Sequence, residues 1–112
     1  ELGCGLGLPG ALALLCGAES ALLTDCGADV EAVVGAALGT VFAEWHCAGR
    51  LRYQQLEWGA EAVERLMREQ AAANGSGFDV IICCDCVYEP FFGETAWRLL
   101  AESLGSLLAA PC

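Results

Sequence analysis

Short apolar runs and longer stretches of helical periodicity alternate along this chain. Residues 1–3 read as the end of a strand running into the glycine-rich turn GCGLGLPG. Pro9 suits the first turn of a helix, where a missing N–H costs nothing, and the pattern predicts a helix to about Cys16 with Gly17 as its stop. Residues 20–24 (SALLT) read as a strand ending at Asp25. Apolar residues at three- and four-residue spacing then predict a helix over 30–46, with Asp29 as N-cap and with Gly35 and Gly39 weakening it without breaking it. Residues 50–57 (RLRYQQLE) make a further strand. Residues 60–73 make a helix with Glu61–Arg65 and Glu64–Arg68 at i,i+4 spacing, and 74–77 (NGSG) a loop. Residues 78–84, apolar but for Asp79, form a run of strand length, as in a parallel strand buried on both faces, and a last helix runs from Gly93 or Glu94 to about Leu108. Strands alternating with helices predict an α/β domain: a Rossmann-like parallel sheet of about four strands, without internal repeats.

Composition narrows this reading. The chain has 112 residues, 56% apolar and 18% charged, so it is a single globular domain at most and not a disordered tail. It opens at Glu1 without an initiator Met and stops soon after a helical pattern, which reads as a domain cut at both ends. A net charge of −10 repels a phosphate backbone and argues against nucleic acid as partner. No apolar run reaches the ~18–20 residues a bilayer requires; the best, residues 11–23, is broken by Glu19. Of eight cysteines, Cys16, Cys83, Cys84 and Cys86 sit in apolar periodic segments, so they read as reduced, buried thiols of a cytoplasmic protein rather than a disulfide scaffold.

The candidate chemistry starts at ELGCGLG. Gly3, Gly5 and Gly7 occupy alternate positions where a strand meets a helix, which lets the backbone turn sharply and a ligand approach without Cβ interference. The free N–H groups of the following helix favour a negatively charged ligand group. Gly5, Gly7 and Gly10 also satisfy GxGxxG, and Asp25 follows Gly5 at about the distance of a ribose-binding acid. On these residues alone a nicotinamide cofactor, another nucleoside cofactor and a turn without any ligand all remain open.

Three motifs in order resemble one family. ELGCGLGLPG is similar to the first motif of class I S-adenosylmethionine-dependent methyltransferases; Leu56-Glu57-Trp58-Gly59 resembles the LxWG segment, and Asp85-Cys86-Val87-Tyr88 the DxxY segment, of the protein-lysine methyltransferases grouped as methyltransferase family 16. The resemblance covers nearly the whole chain. It implies that Gly3, Cys4 and Gly5 line the methionine end of S-adenosylmethionine, with Gly7 keeping the turn open and Glu1 supporting it. Asp25 would accept from the ribose hydroxyls, Trp58 would pack on the adenine with Glu57 near its edge, and Cys84 would contact the cofactor. Asp85 and Tyr88 would be the catalytic pair at the mouth where a protein lysine enters. The late second helix of the family often carries an asparagine; here Glu44-Trp45-His46 stands in that region.

In this reading CCDC, residues 83–86, is the buried end of the fourth strand, its cysteines filling positions for small side chains. Three cysteines within four residues lack the spacing of a metal site, and neighbours on a strand point to opposite faces. The bland alternatives are an aspartate that caps or orders a loop for Asp85 and an aromatic packed beneath the loop for Tyr88. Glu89-Pro90 would shape a turn, His46 would bond carbonyls at its helix end, Trp45 and Trp97 would belong to the core, and residues 61–69 would present a solvated charged face. The expectation is a protein-lysine methyltransferase using S-adenosylmethionine, with no metal and no membrane; the competitors are a methyltransferase for another acceptor and a non-catalytic interaction module.

Overall fold

The computed structural model describes residues 1–74, 77–87 and 89–109. The chain forms two compact units, Glu1–Gln55 with Ile82–Cys84, and Leu56–Ile81 with Asp85–Cys112.

The first unit is built on parallel pairing. Strands β1 (Ala21–Asp25) and β2 (Leu51–Gln55) form a two-stranded parallel sheet with Asp25 opposite Gln55. Leu2 extends this pairing as an isolated bridge to Thr24 on one side and to Cys83 on the other. The pairing is hydrogen-bonded there: the Glu1 amino group donates to the Leu22 carbonyl (2.7 Å), the Thr24 amide to the Glu1 carbonyl (2.9 Å) and the Leu2 amide to the Ile82 carbonyl (2.9 Å). The chain thus crosses the unit in the order Cys83, Leu2, β1, β2, all parallel.

Three helices accompany these strands: α1 (Leu8–Leu15), α2 (Ala28–Leu38) and α3 (Ala43–Cys47). Helix α1 begins with Pro9 in its first turn and ends as predicted at Gly17. There φ is 101°, the Ala18 amide reaches the Ala13 carbonyl and the Gly17 amide the Leu14 carbonyl, a Schellman closure that uses carbonyls the helix cannot satisfy itself. Leu23, Leu51, Val34, Leu38, Leu14, Ala11 and Cys4 form the core, with Phe42, Trp45 and Tyr53 at its margin. Trp45 stacks on Phe42 with centroids 6.0 Å apart, in line with its expected packing role.

The second unit pairs α4 (Ala60–Asn74) with α5 (Glu89–Ala109). Val63, Leu66 and Gln70 on α4, and Leu100, Ser103 and Leu107 on α5, are buried at three- and four-residue spacing, the stripe that lets two helices join. Ser103 is fully buried; its hydroxyl accepts from the Gly59 amide and donates to the Leu99 carbonyl, both at 2.8 Å. This bond fixes the backbone directly after Trp58.

Several expectations need correction. The predicted helix 30–46 is two helices: α2 stops at Gly39 and α3 starts at Ala43, because a glycine and the back-bonded Thr40, whose hydroxyl donates to the Ala36 carbonyl, together favour an end over a continuation. Gly27, not Asp29, is the N-cap of α2; Asp29 lies in the first turn, where its charge still suits the helix dipole. Glu89 and Pro90 begin α5 rather than a preceding turn, and Gly93, at φ 73°, breaks that helix internally, close to the predicted start.

The largest correction concerns residues 78–84. Among the described residues they make one bridge, at Cys83, rather than a strand buried on both faces; the named strands of the sheet are β1 and β2, with Leu2 and Cys83 adding single parallel bridges, in keeping with a Rossmann-like fragment. Val80 is 73% exposed, and Cys83 and Cys84 are exposed as well. An apolar run permits burial but does not supply the neighbours that cover it. For the same reason Cys16, at the exposed end of α1, and Trp97, one turn before the buried stripe of α5, lie outside the core. Of the seven described cysteines, all thiols, only Cys4 and Cys86 are buried.

Candidate active site

The site is organised by the turn between Leu2 and α1. Gly3, Gly5 and Gly7 all have positive φ, 61°, 51° and 71°. The Gly7 amide closes the turn on the Cys4 carbonyl at 2.7 Å, and the Cys4 amide ties it to the Thr24 carbonyl at 2.9 Å. The glycines have two different duties. A Cβ on Gly5 would meet open space, whereas a Cβ on Gly7 would stand 2.6 Å from Leu23 Cδ1, and one on Gly10 would collide with Leu23 Cδ2. Gly7 and Gly10 therefore let α1 settle on β1, while Gly5 leaves bare backbone facing outward. Gly7→Ala combines a left-handed backbone with this clash and should destabilise the unit by about 1–3 kcal/mol; thermal unfolding measures it, and an unchanged midpoint refutes the packing assignment.

Two carboxylates hold the turn from either side. Glu1 Oε2 accepts from the Gly10 amide at 2.8 Å, within the first turns of α1, so the supporting role expected of Glu1 is present. Its carboxyl is raised above the usual range, first by burial, against the opposing effect of that hydrogen bond. Asp25, at the end of β1, accepts from the Gly5 amide through Oδ2 and from the Gly27 amide through Oδ1, each at 3.1 Å. One side chain thus links the glycine turn to the loop entering α2. Each oxygen keeps a further lone pair, so the carboxylate retains capacity for outside donors.

Cys4 lies beneath the turn. Burial, then the charges of Asp25 and Glu1, push its thiol up to about 12, so it remains protonated and acts as packing. Gly3, Cys4, Gly5, Gly7 and Asp25 are therefore assembled in the first unit, and Cys84 follows the Cys83 bridge in that same unit.

Trp58 and Asp85 belong to the second unit. In LEWG, Leu56 is buried, Trp58 is half-buried and Gly59 is tied to Ser103. Asp85 is exposed and has φ 60°, the one positive φ outside glycine among the described residues, in a conformation that aspartate tolerates better than most. Tyr88 lies outside the described residues. His46 Nδ1 is 3.1 Å from the carbonyl of Leu51, the first residue of β2, and not from a carbonyl at the end of its own helix as expected. No three His, Cys, Asp or Glu side chains among the described residues converge as a metal site would need, and no helix there is long and apolar enough to cross a membrane.

Sequence reasoning missed the side chains that secure the Asp25 loop. Tyr53 Oη donates to the Asp25 carbonyl at 3.3 Å and Gln55 Nε2 to the Cys26 carbonyl at 3.2 Å. A signal existed: Tyr53 and Gln55 are two apart on a strand, hence on one face, and parallel pairing of two strands ending at Asp25 and Gln55 puts that face beside the acid. Arg50 similarly donates to the Ala18 and Glu19 carbonyls, both at 2.9 Å, and holds the turn between α1 and β1.

Secreted RxLR effector protein 48 of Plasmopara viticola is 36% identical over 62 residues, which are 55% of this chain and 29% of that protein, so the chain spans under a third of that relative. No solved structure matches. The sequence model of one family, described as lysine methyltransferase, matches residues 1–111, a span that takes in the glycine turn, LEWG and DCVY alike, and the chain belongs to that family.

Proposed function

We propose that this domain binds S-adenosylmethionine at the Gly3–Gly7 turn and transfers its methyl group to a lysine side chain of a protein. The observation that carries the reading is the Asp25 bridge: an acid at a strand end bonded to the Gly5 amide, beside a glycine whose missing Cβ leaves open space. Open α/β sheets bind nucleoside ligands beyond the carboxyl ends of their strands, and this bridge stands at that end of β1. The donor set fits: Asp25 has lone pairs left for ribose hydroxyls, Gly5 admits close approach, and Cys4, held as a neutral thiol, does not compete for the methyl group. Trp58 would stack on adenine, and Cys84 would lie along the cofactor.

When bound, the cofactor supplies an electrophilic methyl carbon on a sulfonium. The Gly3–Gly7 turn and Asp25 would hold that group, whose methyl a lysine nitrogen would accept while the carbon–sulfur electron pair stayed with sulfur. The chain's own contribution is position and protonation state. A lysine amine has an ordinary pKa of about 10.4 and must be neutral to attack. Asp85 would hold the incoming ammonium and orient it while its proton leaves to water. Its backbone is left-handed, at φ 60°. Tyr88 would orient the amine or wall its channel.

The test is calorimetric titration of the whole protein with S-adenosylhomocysteine, with NAD as control, followed by transfer of labelled methyl to lysine-containing proteins. Micromolar binding without NAD binding is expected. Asp85→Asn, which keeps a residue tolerant of the left-handed conformation, should lower kcat by about tenfold or more while leaving cofactor affinity nearly unchanged. Failure of a folded protein to bind S-adenosylhomocysteine sinks the reading in favour of an interaction module. Methyl transfer to a side chain other than lysine overturns the choice of acceptor.

A further inference from the structure

We infer that Tyr53 and Gln55, at the end of β2, are positioning residues for the cofactor site, acting through Asp25; the inference rests on the cofactor reading above. The Asp25 carboxylate can serve a ligand only if its backbone is held, because the loop that follows it is short and leads straight into α2 at Ala28. That backbone carries the Asp25 carbonyl, in the last register pair of the sheet with Gln55, and the Cys26 carbonyl just beyond it. Tyr53 Oη takes the first carbonyl at 3.3 Å and Gln55 Nε2 the second at 3.2 Å.

The loop is thus held from two directions. The carboxylate reaches forward to the Gly5 and Gly27 amides, and two side chains from β2 hold the peptide planes behind it. Fixing those planes fixes the direction of the Asp25 Cα–Cβ bond, and with it the face of the carboxylate left for the ligand. Tyr53 suits this duty. Its ring packs at the margin of the core, so the hydroxyl is delivered by a rigid body instead of a flexible stem. Its phenol is pushed upward by desolvation and by the neighbouring Cys4 and Asp25, so it stays a donor through the physiological range. Neither residue need touch the cofactor.

Tyr53→Phe retains the ring and removes only the donor, so the fold should persist. In the whole protein this change should weaken S-adenosylhomocysteine binding by about two- to tenfold, the range for one lost hydrogen bond. It should raise KM for the methyl donor by a similar factor, leaving kcat at saturating donor and KM for the acceptor unchanged. Gln55→Leu should behave alike. The deciding measurement is the cycle with Asp25→Ala: once the carboxylate is gone, Tyr53→Phe should have no further effect on cofactor affinity. Equal losses in both backgrounds, or none in either, overturn the positioning role while the cofactor reading stands. If the unmodified protein binds no S-adenosylhomocysteine, both fall together.

Discussion

Asp25→Ala should weaken S-adenosylhomocysteine binding by about a hundredfold, a loss of ~2.7 kcal/mol. The carboxylate forms two charge-assisted hydrogen bonds, to Gly5 and Gly27, and its removal leaves both amides without that acceptor. Such bonds contribute roughly 1.5–3 kcal/mol each where water is excluded. Asp25 is only half-buried, so the estimate is set near the value of one full bond. The loss would have two sources, the proposed contact to ribose and the relaxation of the glycine turn. Asp25→Asn separates them, because its amide oxygen can still accept from one backbone N–H while offering the ligand a weaker partner. Calorimetry on both variants, alongside their thermal unfolding, gives the two contributions. Unchanged affinity in Asp25→Ala would remove the acid from the site altogether.

Leu23→Ala should cost about 2–5 kcal/mol of stability. Leu23 is 0% exposed at the middle of β1 and packs among Cys4, Ala11, Leu14, Val34, Leu38 and Leu51. Its Cδ atoms also fill the spaces left by Gly7 and Gly10. Truncation leaves a cavity directly under the glycine turn, so a lowered unfolding midpoint should be accompanied by weaker cofactor binding. The same geometry predicts a rescue. Gly10→Ala is expected to destabilise the parent by collision with Leu23, but should be milder in the Leu23→Ala background, where a methyl can occupy the vacated volume. Strictly additive losses in the double variant would show that Leu23 and Gly10 do not share that space.

The site was legible in the sequence to the extent that local chemistry dictates it. Alternating glycines between an apolar run and a proline-started helix admit few conformations, and all three glycines adopt positive φ. Glu1 and Asp25 were legible as well, since an acid at a strand end beside such a turn finds free amides. Their actual partners, Gly10, Gly5 and Gly27, were not, because those bonds depend on how α1 and α2 leave the strands. The Tyr53 and Gln55 contacts escaped because they depend on the register of β1 against β2, a pairing of residues nearly thirty positions apart.

What the sequence determined by itself was the set of locally encoded elements: α1 with its proline start and glycine stop, the cores of β1 and β2, the amphipathic α4 and the three ordered motifs of the family. Periodicity, capping chemistry and glycine conformation act within a few residues, so they can be read along the chain. Tertiary structure alone decided which apolar residues were covered. Val80, Cys83, Cys84 and Trp97 are apolar like the core, yet each is exposed, whereas Ser103 and Gln70 are buried. Burial is a property of a residue together with the surface laid against it, and that surface comes from distant parts of the chain.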